Sequence, residues 1–172
     1  MRPASQRTRQ PQAVPGHRLP WVTTDEYLTF CDRALDGYAA CVRELGDAHV
    51  NSPLTEVEGS NSAFALVAHV VGVMGRWGRT VNRGIVVPRD RDAEFTATGT
   101  VQEALELLEM GRARLHEDAR AGDTAAPPAN PPTGRDRTAY ATQGAVLLHV
   151  YEELSQHLGQ LEVTRDVLLA TG

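Results

Sequence analysis

The stretch "HVYEELSQHLGQLEVTRDVL", residues 149–168, decides how the rest of the chain is read. At the helical period of about 100° per residue, His149 and His157 lie about 40° on either side of Glu153. Gln160 and Thr164 fall within about 20° of it and extend the same polar line. Val146, Val150 and Leu161 border that line, so a Glu and two His stand in the middle of an otherwise apolar stripe. Glu152 falls about 100° away and reads as a solvated charge. Ionisable groups in an apolar stripe cost several kcal/mol if nothing compensates them, and a metal ion is one efficient way to do so. Residues four apart on a helix have β-carbons about 6 Å apart and can share one ion. Residues eight apart are separated by about 12 Å along the axis and cannot. The chelating pair is therefore Glu153 with His157, or His149 with Glu153. A third ligand must come from a facing helix, as in metal sites built inside helical bundles.

His69 is the best candidate for that third ligand. It lies in "FALVAHVVGVM", residues 64–74, the most apolar part of a second helical pattern that runs from about residue 62 to residue 83. Phe64, Val67, Val71 and Met74 can form the buried side of that helix, and Gly84 closes it. The other histidines have weaker contexts: His17 lies near the N-terminus, His49 in an expected loop, and His116 among charges. Arg76, Arg79 and Arg83 follow His69 as a basic stripe toward the end of the same helix. Such a stripe reads first as a solvated face favoured by the helix dipole. Its functional alternative is that Arg76 binds a carboxylate of a substrate or thiol. Trp77 is read as a pocket wall or a core residue, and Tyr151 as packing.

Two further helices complete the pattern. One spans about residues 24 to 45, with Thr23 and Glu26 at capping-box spacing, Tyr27, Phe30, Cys31, Ala34, Leu35, Tyr38 and Cys41 at helical intervals, and Gly46 as its stop. The other opens at Thr100, again with Glu103 at capping-box spacing, and continues to about residue 120 through Val101, Leu105, Leu108 and Leu115. The last helix is expected from about residue 138 to residue 169. The segment 85–99 reads as an irregular crossing that packs partly over something, and the Pro-rich run 121–136 cannot be helical throughout. No strand pattern or internal repeat is present. The expected fold is an all-α four-helix bundle with long crossing loops, occupying residues 22–172 behind a disordered leader at 1–21.

Composition narrows the function classes. The chain has 172 residues and a formal net charge of -5, which argues against a nucleic-acid-binding footprint. Its 17 basic residues are all arginine, so lysine-based chemistry is excluded. That bias suits a GC-rich, actinobacterial source. Cys31 and Cys41 are about 15 Å apart on one helix, too far for a disulfide, and read as reduced core residues of a cytoplasmic protein. No run spans a membrane, and no apolar segment marks a secretory signal.

The second-helix "NSAFALVAHVVGVMGRW" followed by "HVYEELSQHLGQLEVTRDVL" resembles the DinB-like superfamily, in which a His of the second helix and an H-x-x-x-H-x-G-Q segment of the last helix bind a divalent metal. Here Glu153 stands in place of the first His of that segment, followed by His157, Gly159 and Gln160. That substitution is similar to the mycothiol-dependent maleylpyruvate isomerase branch, whose zinc is held by His, Glu and His, and to related mycothiol S-transferases. The resemblance covers about residues 22 to 170. It implies His69, Glu153 and His157 as metal ligands, with His149 as a substrate-facing or ligand-supporting group on the same face. It also implies a divalent ion, zinc first and Ni, Fe or Mn as alternatives, and mycothiol as a cosubstrate that attacks a small electrophile. Other readings on the same scaffold are a metal-dependent hydrolase, isomerase or lyase of a natural-product or detoxification pathway, and a non-catalytic metal- or ligand-binding stress protein. Catalytic roles are expected for His149 and Arg76. The partners expected are small molecules, with no nucleic acid and no membrane, and bundles of this kind often pair into homodimers.

Overall fold

A computed structural model of the chain describes residues 22–133 and 138–171. The expected leader, residues 1–21, lies outside the described residues. Four long helical segments and one short helix form the fold, with no strand among the described residues. Helix α1 is Thr24–His49, α2 is Ala63–Met74, α3 is Arg91–Phe95, α4 is Val101–Arg120 and α5 is Gln143–Thr171. The all-α bundle expected from sequence is what is observed.

Local chemistry places the helix ends. The capping boxes of α1 and α4 form as expected, with Thr23 and Thr100 accepting from the backbone N–H of Glu26 and Glu103, whose carboxylates bond back to the capping residue. Ser62 caps α2 by accepting from Ala65 N–H. Gly46 does break α1, in a conformation of φ 61° and ψ 178° that only glycine adopts readily, but the chain then makes one more turn to His49. That turn has a purpose visible in the fold: the Asp47 carboxylate accepts from Val101 N–H at 2.7 Å, at the start of α4.

Helix α2 does not stop at Met74. It continues as a π-helix, Gly75–Asn82, in which each N–H reaches one residue further back than in an α-helix. The "GRWGR" sequence carries two glycines there, which weakens the preference for the α form. Beyond it, the Pro-rich run docks rather than trails: Ala129 N–H donates to Asn82 C=O at 3.1 Å and Asn130 N–H to Val81 C=O at 2.9 Å.

The core lies between α1, α2, α4 and α5. Its largest fully buried side chains include Tyr38, Leu35, Leu66, Leu108, Leu115, Leu154 and Leu161. Phe30 leaves the stripe assigned to it and is 47% exposed, with the Arg33 guanidinium 5.4 Å above its ring. Leu28 is buried in the first turns of α1. Cys31 and Cys41 are free and buried, as expected. The Tyr38 hydroxyl crosses the core to donate to Leu154 C=O at 3.0 Å, tying α1 to α5 next to Glu153. Helix α3, short as it is, packs against α2.

Candidate metal centre

Glu153 and His157 face the same way because four residues separate them on α5. His69 meets them from α2. Glu153 Oε2 is 3.4 Å from His157 Nε2 and 3.7 Å from His69 Nε2. The donor atoms of all three lie within 4.8 Å of one another. A tetrahedral ion with ligand bonds of about 2.0–2.1 Å has donor-to-donor edges of about 3.3–3.4 Å. Two of the three separations, 3.4 and 3.7 Å, are close to those edges, so the three donors form a group that could hold one ion.

The far sides of both imidazoles are held. His69 Nδ1 is 3.0 Å from Glu94 Oε2, and His157 Nδ1 is 3.0 Å from Gln160 Oε1. With the proton on Nδ1, each ring would donate to that oxygen and turn the lone pair of Nε2 toward Glu153. Metal-binding histidines are oriented in this way, through the nitrogen that does not bind. Burial pushes the His69 pKa below its ordinary value and outweighs the opposing pull of Glu94, so the ring is held neutral, the form a ligand needs. The His69 ring is further stacked on Phe95 of α3, at 4.6 Å between centroids, and meets the His157 ring edge-on at 4.7 Å. His69 is only 3% exposed, while the Glu153 side chain is 28% exposed, so the cluster opens to solvent on the Glu153 side. Two imidazoles and one carboxylate, with room left on the open side, fit a four-coordinate divalent ion.

His149 stands one turn earlier on α5. Its Nε2 is 3.6 Å from Glu153 Oε1, the oxygen not turned toward the other two histidines, and its Nδ1 is 3.1 Å from Glu152 Oε2. Glu152 is exposed, as expected, but it is not idle: it orients His149, a neighbour three residues away on the helix. Trp77 packs edge-on against His149 at 4.7 Å, and Tyr140 lies 4.8 Å from both rings. Trp77 is therefore the wall of this part of the site as well as a partner of the core. Tyr151 turns the other way, edge-on to Phe30 of α1 at 6.1 Å, which is the packing role expected of it.

The arginine stripe divides. Arg79 pairs with Glu117 at 3.2 Å and with buried Asp118 at 3.3 Å, and Arg83 approaches Asp118 at 3.9 Å. They lock the π-helical segment to α4 instead of forming a solvated face. A single stripe at 100° per residue does not hold beyond Met74, because a π-helix turns less per residue. Arg76 is half-buried and takes part in none of the ion pairs among the described residues.

Two contributors escape the sequence reading. Glu94 and Arg89 lie in the 85–99 segment, which was expected to pack over something without a named contact. Asp90 caps α3 there by accepting from Ala93 N–H, and the cap spacing was a local signal that this crossing contains a helix.

A family model described as mycothiol-S-transferase matches residues 27–169. No curated protein and no solved structure matches the chain. No helix among the described residues is long and apolar enough to cross a membrane.

Proposed function

The chain belongs to the mycothiol S-transferase family, and from that premise we propose a metal-dependent transfer of a low-molecular-weight thiol, mycothiol, to a small electrophile. His69, Glu153 and His157 would hold the ion, zinc by choice of donor set and open fourth position. The observation that carries the reading is the convergence of two Nε2 atoms and one carboxylate oxygen, each imidazole backed by an acceptor on its other nitrogen. When bound, such an ion supplies Lewis acidity that favours the thiolate form of the thiol at neutral pH.

The remaining steps fall to the chain's own side chains. His149, with Nδ1–H donated to Glu152, offers the lone pair of Nε2 to the thiol proton. The sulfur lone pair then forms the new C–S bond. At a carbon bearing a leaving group, the electron pair of the broken bond departs with that group. At an activated double bond it moves to the adjacent carbon, which takes a proton back from His149. Arg76 would bind a carboxylate of thiol or electrophile, and Trp77 with Tyr140 would wall the approach to His149, whose ring they pack against.

The test is an S-transfer assay on zinc-loaded protein, comparing mycothiol with glutathione and cysteine against a haloalkyl fluorogenic electrophile. Turnover selective for mycothiol, a fall of about 10²–10⁴ in His149→Ala and loss in His157→Ala are expected. Turnover independent of thiol would replace the transferase by a hydrolase, isomerase or lyase. Metal binding without turnover would leave a binding protein.

A further inference from the structure

The most heavily engaged carboxylate near the site is not one of the three donors. Glu94 of α3 is 9% exposed and meets two partners at once. Arg89 clasps it through both carboxylate oxygens, Nε to Oε1 at 2.6 Å and Nη2 to Oε2 at 2.7 Å. His69 Nδ1 donates to Oε2 at 3.0 Å. A two-pronged guanidinium fixes the carboxylate in plane, and a carboxylate so fixed leaves the imidazole little freedom to turn.

The backbone is shaped to admit this carboxylate. Gly72 lies on α2 three residues after His69, on the side that α3 covers. A β-carbon at Gly72 would overlap the Glu94 carboxyl and stand 3.2 Å from Arg89 Nε. A glycine in the interior of a helix weakens it by up to about 1 kcal/mol relative to alanine, and its φ here is ordinary. Conformational freedom therefore does not account for Gly72; the space it leaves for Glu94 does.

We propose that Arg89, Glu94 and Gly72 form a positioning device for His69, in which the Arg89–Glu94 pair seated over Gly72 aims His69 Nε2 at the ion shared with Glu153 and His157. It rests on the reading of those three residues as a metal centre. Glu94 touches neither ion nor substrate and acts through His69. The short helix α3, on this account, exists to carry Glu94 and Phe95 to the two accessible sides of one imidazole: a hydrogen bond at Nδ1 and a stacked ring across its face. Because the guanidinium neutralises the carboxylate, the pair orients His69 without placing an uncompensated negative charge beside it.

The experiment is a competitive zinc titration against a chromophoric chelator, with the Co²⁺ visible spectrum as a second readout and metal-free thermal stability as the control. Glu94→Ala should weaken zinc binding about 10–100-fold, the range for a lost partner of a metal-bound histidine. Gly72→Ala should do the same while keeping every charged group, because its added methyl displaces the carboxylate. Both should alter the Co²⁺ bands. Metal-free melting of Gly72→Ala should fall, because displacing the buried carboxylate disturbs its pairing with Arg89, so the affinities are compared at a temperature where both metal-free proteins are folded. Arg89→Ala should give a smaller loss of affinity. Parental zinc affinity and an unchanged Co²⁺ spectrum in both Glu94→Ala and Gly72→Ala would overturn the positioning role. Failure of the parent protein itself to bind zinc or cobalt would instead remove the metal centre on which it rests.

Discussion

Replacing Glu153 by glutamine separates the metal centre from the fold that carries it. The side chain keeps its volume, and at 28% exposure its amide can still reach water, so the metal-free protein should melt close to the parent. What changes is the response to metal. An ion that binds only the folded state stabilises it by RT ln(1 + [L]/Kd), about 4 kcal/mol at a thousandfold excess over Kd. For a domain of this size each kcal/mol moves Tm by about 2–4 °C, so zinc should raise the parent Tm by about 8–16 °C. Glu153 is the one anionic donor of the three, and both histidines approach the same oxygen, Oε2. If its loss weakens binding 100-fold, beyond the middle of the range for indirect partners, the same zinc concentration gives about 1.4 kcal/mol and a rise of about 3–6 °C. A thousandfold loss leaves about 0.4 kcal/mol, near the limit of measurement. The assay is calorimetry on chelator-treated protein with and without zinc, parent and variant at equal concentration. The difference between the two scans cancels whatever the substitution does to the metal-free fold. An equal zinc shift in parent and Glu153→Gln would refute the cluster as the binding site, and so would a parent with no shift.

Three further outcomes follow from particular residues. Arg76→Ala should raise KM for a carboxylate-bearing thiol or electrophile about tenfold or more, with zinc content unchanged; an unchanged KM removes Arg76 from the site. Burial pushes the Cys31 thiol up to about 11, which at pH 8 leaves a thiolate fraction on the order of 10⁻³, against roughly a quarter for an ordinary cysteine. Alkylation of Cys31 in the native protein should therefore be slowed by at least two orders of magnitude relative to the unfolded chain, and rapid labelling would reopen a role for it as nucleophile. Gly46→Ala forces a side chain into φ 61° and ψ 178° and should cost about 1–3 kcal/mol, read as a Tm lower by about 2–12 °C; an unchanged Tm would mean that the chain reaches Asp47 by another route.

The residues that were legible in the sequence are those whose partners lie within one or two helical turns. Thr23 with Glu26 and Thr100 with Glu103 are three apart, and both capping boxes form. Glu153 and His157 are four apart and share a face. His69 needed one step more: it was a candidate as a lone polar residue in the most apolar run of the chain, and the family resemblance implied it as a ligand. Helical periodicity also set its own limit. It presupposes that each N–H reaches back four residues, so beyond Met74, where the ladder lengthens to five, it no longer tells which way Arg76, Arg79 and Arg83 face. Glu152 was set aside by its angle from Glu153, although its distance of three from His149 was the relation that mattered.

Glu94 is the harder case. It stands 25 residues from His69, in a crossing that reads as packing partly over something without naming what, and nothing local distinguishes it from Asp90 or Asp92. Its burial depends on Arg89 neutralising it and on Gly72 leaving room for it, two conditions met on different elements. A buried carboxylate is tolerable only when such conditions hold together, because one alone leaves an unpaired charge or a steric overlap. Donor atoms can therefore be picked out by spacing along one helix, while the residues that aim them are specified jointly by segments that meet only in the folded chain. If the positioning role of Glu94 is right, substitutions at Gly72 and at Glu94 should be non-additive in zinc affinity, the double variant no worse than the weaker single one, since both remove the same contact. Additive losses would mean that Gly72 serves the helix and Glu94 serves the site independently.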